Sequence, residues 1–228
     1  MSRVGLGERF FSWLFPARCL LCDRVVPAEE IFCRECAKKI PEKPFSRKFA
    51  LPGAGVEGFQ VFSPLSYEGG FRKSIHRLKF YGQKSLAKPM GRLMAETARG
   101  TGIPFDAVTW VSMTEKKRKQ RGYDQSELLA KAAAKELSLP CLPLLKKVRE
   151  NQTQHELSGR QRWLNVKNAY RAGEEAKGKN LLLLDDIVTT GATVGECAKM
   201  LYAAGAKTVV GVGAADAQAG KLEKEKTV

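Results

Sequence analysis

The stretch LLLLDDIVTTGAT, residues 181–193, points to the class of fold more directly than any other part of the chain. Its four consecutive leucines are typical of a central parallel strand that is buried on both faces. The turn that follows ends near Ala192, where we predict the start of a helix. The apolar residues expected on the inner face of this helix are Val194, Cys197, Ala198 and Leu201. Cys197 is therefore interpreted as a core residue and not as a nucleophile.

Two acids and a polar turn follow the leucines. Adjacent strand residues point to opposite faces, so we expect at least one of Asp185 and Asp186 to lie in the turn and face a ligand. The amides of a glycine-containing turn, threonine hydroxyls and the start of a helix together suit one phosphate group. Carboxylates accept hydrogen bonds from sugar hydroxyls, so the combination predicts a ribose 5-phosphate site. The alternative is a helix cap without a ligand.

The rest of the chain alternates strands with helices, which predicts an α/β fold with a parallel sheet flanked by helices. We predict strands near residues 59–67 and 107–112, and helices near residues 71–81, 85–99 and 124–137. Asp124 is the expected N-cap of the last of these helices. The sequence GAGVEG at residues 53–58 matches a dinucleotide-binding pattern, but Pro52 precedes it and a β-prone run follows it. We interpret residues 41–58 as a linker.

Four cysteines near the start of the chain form two CxxC pairs that are ten residues apart. Two residues between the cysteines of a pair allow both sulfurs to reach one Zn²⁺ at about 2.3 Å. Cys19, Cys22, Cys33 and Cys36 are therefore the predicted zinc ligands, with a short hairpin between the pairs. A module this small has too thin a core to fold alone, so the zinc is expected to be structural.

These patterns divide the chain into three parts. Residues 1–52 are expected to hold an N-terminal helix, the zinc ribbon and the linker, residues 53–220 the main domain, and residues 221–228 a frayed tail. The apolar run near the start is only six residues long, which is too short for an export signal. No apolar run approaches the roughly 20 residues needed to span a bilayer, so we expect a cytoplasmic protein.

The chain is strongly basic, with 39 Lys and Arg residues against 24 Asp and Glu residues and a net charge of +15. This excess favours polyanionic partners, which include DNA, RNA, an anionic membrane and a phosphorylated small molecule. Part of it is concentrated in a predicted basic loop, whose cations are Lys116, Lys117, Arg118, Lys119 and Arg121.

Five segments in this order resemble the ComF family of competence proteins. They are the four-cysteine ribbon, YEGGFRKSIHRLKFYG at 67–82, RKQRGYDQSELLA at 118–130, the pattern R-x4-Q-x2-L-x4-R-x2-N at 149–165, and LLLLDDIVTTGAT. The resemblance implies a type I phosphoribosyltransferase fold that binds phosphoribosyl pyrophosphate (PRPP) with Mg²⁺. It assigns the ribose hydroxyls to Asp185 and Asp186 and the 5-phosphate to Thr189, Thr190, Gly191, Ala192 and Thr193. Lys79 and the cations of the basic loop are candidates for contact with pyrophosphate or DNA.

Two functions are compatible with this resemblance. In the first, the protein is an enzyme that transfers phosphoribose to an unidentified acceptor and releases pyrophosphate. In the second, it is a non-catalytic PRPP-sensing module that handles single-stranded DNA together with the competence DNA-uptake machinery. The sequence favours PRPP binding and leaves turnover open.

Overall fold

The computed structural model describes residues 16–150 and 159–219 of the 228-residue chain. The predicted N-terminal helix, the predicted tail and part of the 149–165 pattern lie outside these residues. The helices are α1 (Arg34–Ala37), α2 (Gly69–Phe80), α3 (Ala87–Arg99), α4 (Glu115–Arg121), α5 (Gln125–Leu137), α6 (Gly159–Val166) and α7 (Ala192–Ala203). The strands are β1 (Phe45–Phe49), β2 (Phe59–Ser63), β3 (Leu65–Ser66), β4 (Ala107–Trp110), β5 (Leu145–Lys147), β6 (Tyr170–Ala172), β7 (Asn180–Val188) and β8 (Thr208–Asp216). Short 3-10 turns occupy Lys84–Leu86 and Glu174–Ala176.

The main sheet has six strands in the order β1-β2-β8-β7-β4, and β3 also pairs with β8. All of its pairs are parallel except β1 with β2, which is antiparallel. β7 pairs with β8 from Asn180↔Thr208 to Val188↔Asp216, so both strands end at the same edge. β5 and β6 form a separate antiparallel pair. The predicted α/β fold with a mainly parallel sheet is confirmed.

The four leucines of β7 explain why this strand lies inside the sheet. Leu182 and Leu184 pack into a core with α2, α3 and α5, whereas Leu181 and Leu183 pack into a second core with α7 and the β5-β6 pair. All four side chains are fully buried. Each contributes about 2 kcal/mol through its removal from water, so the strand is fixed from both faces. Cys197 is also fully buried in the second core, as predicted.

Two predicted irregular segments contain regular structure. Residues 41–58, interpreted as a linker, include β1, which forms the antiparallel edge of the main sheet. Residues 115–121, interpreted as a basic loop, form α4, because Thr114 Oγ1 accepts a hydrogen bond from the Lys117 amide and Gly122 ends the helix with φ 81°. The GAGVEG segment forms turns and opens no helix, which confirms that its match to the dinucleotide pattern is accidental.

The cysteine ribbon packs directly on α2. Leu20 is fully buried in the core that contains α2, and Ser74 Oγ donates to the Leu20 carbonyl at 2.7 Å. Arg77 forms an ion pair with Asp23 at 2.7 Å. In place of the predicted hairpin between the two cysteine pairs, an antiparallel bridge joins Arg18 to Val25 around the first pair. None of the described helices has the length and apolar character that a membrane crossing requires.

Candidate functional site

The acidic pair lies near the carboxyl end of β7. Asp185 and Asp186 both belong to the strand, so the expectation that at least one of them lies in the turn is wrong. Their exposed fractions are only 8% and 5%. The reason is that β7 remains paired with β8 as far as Val188, which keeps both acids in extended backbone.

The first turn of α5 contacts both carboxylates. Asp185 Oδ1 accepts hydrogen bonds from Ser126 Oγ at 3.2 Å and from the Asp186 amide at 2.8 Å. Asp186 Oδ2 accepts one from Gln125 Nε2 at 2.7 Å and forms an ion pair with Lys79 Nζ at 2.8 Å. The two acids are therefore held in fixed orientations, and one cation already lies beside them.

Burial and the neighbouring Asp186 carboxylate raise the pKa of Asp185 to about 8, although the charge of Lys79 opposes this effect. Asp185 is consequently half protonated near this pH. A ligand that brings a cation to the pair favours the ionised form of Asp185. A ligand that accepts a hydrogen bond from Asp185 favours the protonated form.

The predicted phosphate loop follows β7 directly. Gly191 adopts φ 81° as the N-cap of α7, and Thr190 Oγ1 accepts a hydrogen bond from the Ala192 amide at 3.4 Å. The threonines of the loop are partly exposed, whereas Gly191 and Ala192 are buried. The first turn of this 12-residue helix therefore begins beside the acidic pair, with its amides at the positive end of the helix dipole.

Residues of β1, which lie in the predicted linker, fix the loop from one side. Arg47 Nη1 donates to the Thr189 carbonyl at 2.6 Å and forms an ion pair with the buried Asp216 at 3.3 Å. The Phe49 ring covers Gly191 so closely that a Cβ at this glycine would lie 2.1 Å from it. The side chains of Phe45, Arg47 and Phe49 lie at every second position and share the inner face of β1, and this period of two was the available sequence signal for a strand.

Asp124 ties the segment after β4 to the start of α5. This buried carboxylate accepts hydrogen bonds from the Met113 amide at 2.9 Å and from the Ser126 and Glu127 amides at 2.9 and 3.2 Å. Its predicted role as N-cap is confirmed. Burial raises the pKa of Asp124, and the three amide hydrogen bonds oppose this shift.

The predicted cations separate into two groups. Lys79 contacts Asp186, and the Arg121 side chain contacts Gln125, which itself donates to Asp186. Lys116, Lys117, Arg118 and Lys119 lie on the exposed helix α4. Arg118 forms ion pairs with Glu115 at 3.7 Å and with Glu127 at 3.8 Å. Of these predicted cations, all of which the structure describes, Lys79 contacts the acidic pair directly and Arg121 reaches it through Gln125.

Lys147, at the end of β5, is a further cation, which was not among the predicted site residues. Its Nζ lies 5.3 Å from the centre of the Tyr170 ring. Burial lowers its pKa, and the charge of Lys117 acts in the same direction while that of Asp185 opposes it.

The four predicted zinc ligands converge. The sulfurs of Cys19, Cys22, Cys33 and Cys36 all lie within 4.8 Å of one another, and those of Cys22 and Cys33 are 3.6 Å apart. Tetrahedral zinc with Zn–S bonds of about 2.3 Å separates its sulfurs by about 3.8 Å. A hydrogen bond from the Cys36 backbone is the main reason why the pKa of Cys33 falls to about 7, which favours a thiolate there. The residues fit one zinc ion.

Comparisons with known proteins agree with both parts of the molecule. Residues 10–59 match the double zinc ribbon domain, and residues 124–228 match the phosphoribosyl transferase domain. The DNA utilization protein YhgH of Salmonella typhi is 32% identical over 199 residues, which cover 84% of this chain and 86% of that protein. Competence protein F of Haemophilus influenzae is 26% identical over 190 residues, which cover 79% and 77% of the two chains.

A solved structure of the glutamine PRPP amidotransferase from B. subtilis is 19% identical, with a TM-score of 0.43. The match covers 61% of this chain and 30% of that one.

Proposed function

This chain belongs to the ComF family, in which a phosphoribosyltransferase domain accompanies a double zinc ribbon, and we propose from this premise that it binds PRPP with Mg²⁺. The observation that carries the proposal is the pair of oriented carboxylates on β7 beside the start of α7. The residues proposed to bind PRPP are Asp185, Asp186, Thr189, Thr190, Gly191, Ala192 and Thr193.

Each part of PRPP has a chemically suitable group in this arrangement. The ribose 2- and 3-hydroxyls would donate hydrogen bonds to Asp185 and Asp186. The 5-phosphate would accept hydrogen bonds from the amides and hydroxyls at the start of α7. Because Lys79 already binds Asp186, its ammonium group would have to be shared or displaced when the ligand arrives. When bound, Mg²⁺ would neutralise charge on the pyrophosphate group.

Turnover, if it follows binding, would need little acid or base catalysis. A nucleophile would form a bond to C1 of the ribose while the bond from C1 to the pyrophosphate oxygen breaks, and pyrophosphate would leave with the electron pair. The protein would orient the sugar and place cations at the leaving group. Among the described residues, Lys79 binds Asp186, Arg121 reaches Asp186 through Gln125, and Lys147 is affected by the charge of Asp185, so these three are the candidate cations.

The relatives support a cellular role for this binding. YhgH is named for DNA utilization and the Haemophilus protein for competence. We propose that this chain also acts in the handling of DNA in the cytoplasm, as a phosphoribosyltransferase-like protein with an unidentified acceptor.

Calorimetric titration of PRPP in the presence of Mg²⁺ tests the proposed site. Replacing Asp186 by Ala should weaken binding by about tenfold to a hundredfold, because a charged hydrogen-bond acceptor is lost. The matched control is Asp106→Ala, because Asp106 accepts a hydrogen bond from the Asn180 amide at the opposite end of β7. Unchanged PRPP affinity in Asp186→Ala would contradict the proposal. A separate ³¹P NMR assay for pyrophosphate release, with a panel of acceptors, decides whether the site turns over.

A further inference from the structure

An exposed group of aromatic rings lies where α2 ends. Phe80 has an exposed fraction of 60% and Tyr81 one of 70%, which are high values for large rings in consecutive positions. The exposed His76 ring packs beside both, with centroid distances of 4.5 Å to Phe80 and 5.8 Å to Tyr81. Exposed apolar rings that are held in place by a neighbour are typical of a binding surface. We call His76, Phe80 and Tyr81 the ring cluster.

Cations surround the ring cluster. The Arg121 guanidinium lies 5.2 Å from the centre of the Phe80 ring. Lys84 Nζ lies 4.9 Å from the centre of the Tyr123 ring, and the Tyr123 hydroxyl donates to the Leu78 carbonyl in the last turn of α2. A cleft of about 570 Å³ adjoins two members of the cluster, and it is lined by Gly69, Arg72, Lys73, His76, Arg77 and Tyr81. This lining, all within the described chain, includes three cationic side chains and no acid. Asp23 pairs with Arg77, so Arg72 and Lys73 supply the available charge.

The ring cluster is continuous with the candidate PRPP site. Lys79, which directly precedes Phe80, binds Asp186. Arg121 contacts both Phe80 and Gln125, and Gln125 donates to Asp186. A polymer bound across the rings would therefore pass close to the acidic pair.

We propose that the ring cluster and its flanking cations bind single-stranded nucleic acid. Unpaired bases present flat faces that stack on aromatic rings regardless of sequence, and their phosphates pair with Lys and Arg. A duplex keeps its base faces covered, so it offers only phosphates to this surface. A protein partner would suit the two rings, but four cations around them favour a polyanion. The proposal gives a location to the role in DNA utilization and does not depend on PRPP binding.

Fluorescence anisotropy with a labelled oligothymidylate, across a salt series, tests this surface. Phe80→Ala and Tyr81→Ala should each weaken binding by about fivefold to a hundredfold, because each variant loses a stacked base. The salt slope should stay unchanged, because neither variant loses a contact with phosphate. Lys84→Gln should instead flatten the log-log salt slope by about 0.7, which corresponds to one phosphate.

Two matched variants control for general effects. Leu164→Ala removes a side chain that is 64% exposed on α6, and Lys135→Gln removes a charge from the last turn of α5. Both should bind the oligonucleotide as the wild type does. Tyr81→Ala should also retain PRPP affinity, so that failure of this surface and failure of the PRPP site give different results.

Several outcomes would overturn the proposal. They are the absence of oligonucleotide binding at low salt, ring variants that bind normally, or controls that lose as much affinity as the ring variants. Binding of a duplex as tightly as a single strand would also overturn it. If the wild type binds no nucleic acid, a protein partner becomes the better explanation of the rings. Tighter binding of oligouridylate than of oligothymidylate supports the surface and identifies RNA as its ligand.

Discussion

Replacing Lys79 by Met removes the cation at the acidic pair and keeps most of the buried aliphatic stem. At 2.8 Å and an effective dielectric constant of about 20, the attraction between Lys79 and Asp186 is about 6 kcal/mol before the cost of desolvation. Breaking a buried pair from one side costs about 3–5 kcal/mol. The Lys79 side chain is still 18% exposed, so we expect a loss of about 2–3 kcal/mol in the free energy of unfolding.

This loss should depend on pH. The pKa of Asp185 is raised in the folded protein, so its contribution to stability is full below its unfolded value and declines as the pH rises through about 8. Lys79 limits this decline, because its charge lowers the pKa of Asp185. The Lys79→Met variant should therefore be destabilised more near pH 9 than near pH 5.

Urea unfolding of the zinc-loaded protein at both pH values measures the effect. Lys73→Met is the matched control, because Lys73 is exposed on the same helix, and its free energy of unfolding should change by no more than about 0.5 kcal/mol. Equal stability of wild type and Lys79→Met near pH 9 would refute the reasoning. An equal loss in Lys73→Met would refute it as well.

Three further effects follow from the geometry. Cys22→Ser should reduce bound zinc well below one ion per chain and destabilise the protein, with a smaller effect on PRPP affinity; full zinc content by metal analysis would contradict the predicted ligand set. PRPP binding near pH 7 should release protons as Asp185 ionises, measured by calorimetry in two buffers of different ionisation enthalpy; Asp185→Asn should abolish the difference that wild type shows. Gly191→Ala should weaken PRPP binding, because alanine would have to adopt a left-handed backbone and its Cβ would clash with the Phe49 ring. The double variant with Phe49→Ala should recover part of the affinity. Unchanged binding in the single variant would contradict a tight fit at the loop.

The sequence could identify the parts of the fold that depend on local pattern. Four leucines in succession predicted a strand buried on both faces, and the spacing of Val194, Cys197 and Leu201 predicted the helix after it. The two CxxC pairs predicted a cluster that the structure brings together. In each case the residues that decide the structure are close in the chain, so their periodicity contains the information.

The errors have two physical origins. Helix α4 has seven mostly charged residues and no buried side chain, so hydrophobic periodicity could not detect it. Its local signals were the caps, Thr114 and Gly122, and an acid in the first turn with basic residues in the last. The contacts of Lys79 with Asp186 and of Arg47 with Asp216 join distant parts of the chain. Such pairs follow from the order of strands in the sheet, which the hydrophobic pattern did not specify.

The packing of the ribbon on α2 limits how this protein can be divided for experiments. A Cβ at Gly70 would lie 1.6 Å from the Leu21 carbonyl oxygen, so backbone meets backbone at this point with no room for a side chain. A truncated protein that begins after the ribbon would lose Leu20 from a shared core and leave Phe71 and Ile75 partly uncovered. Such a fragment should aggregate during purification, and a ribbon transplanted to an unrelated carrier should lack the surface that orders it.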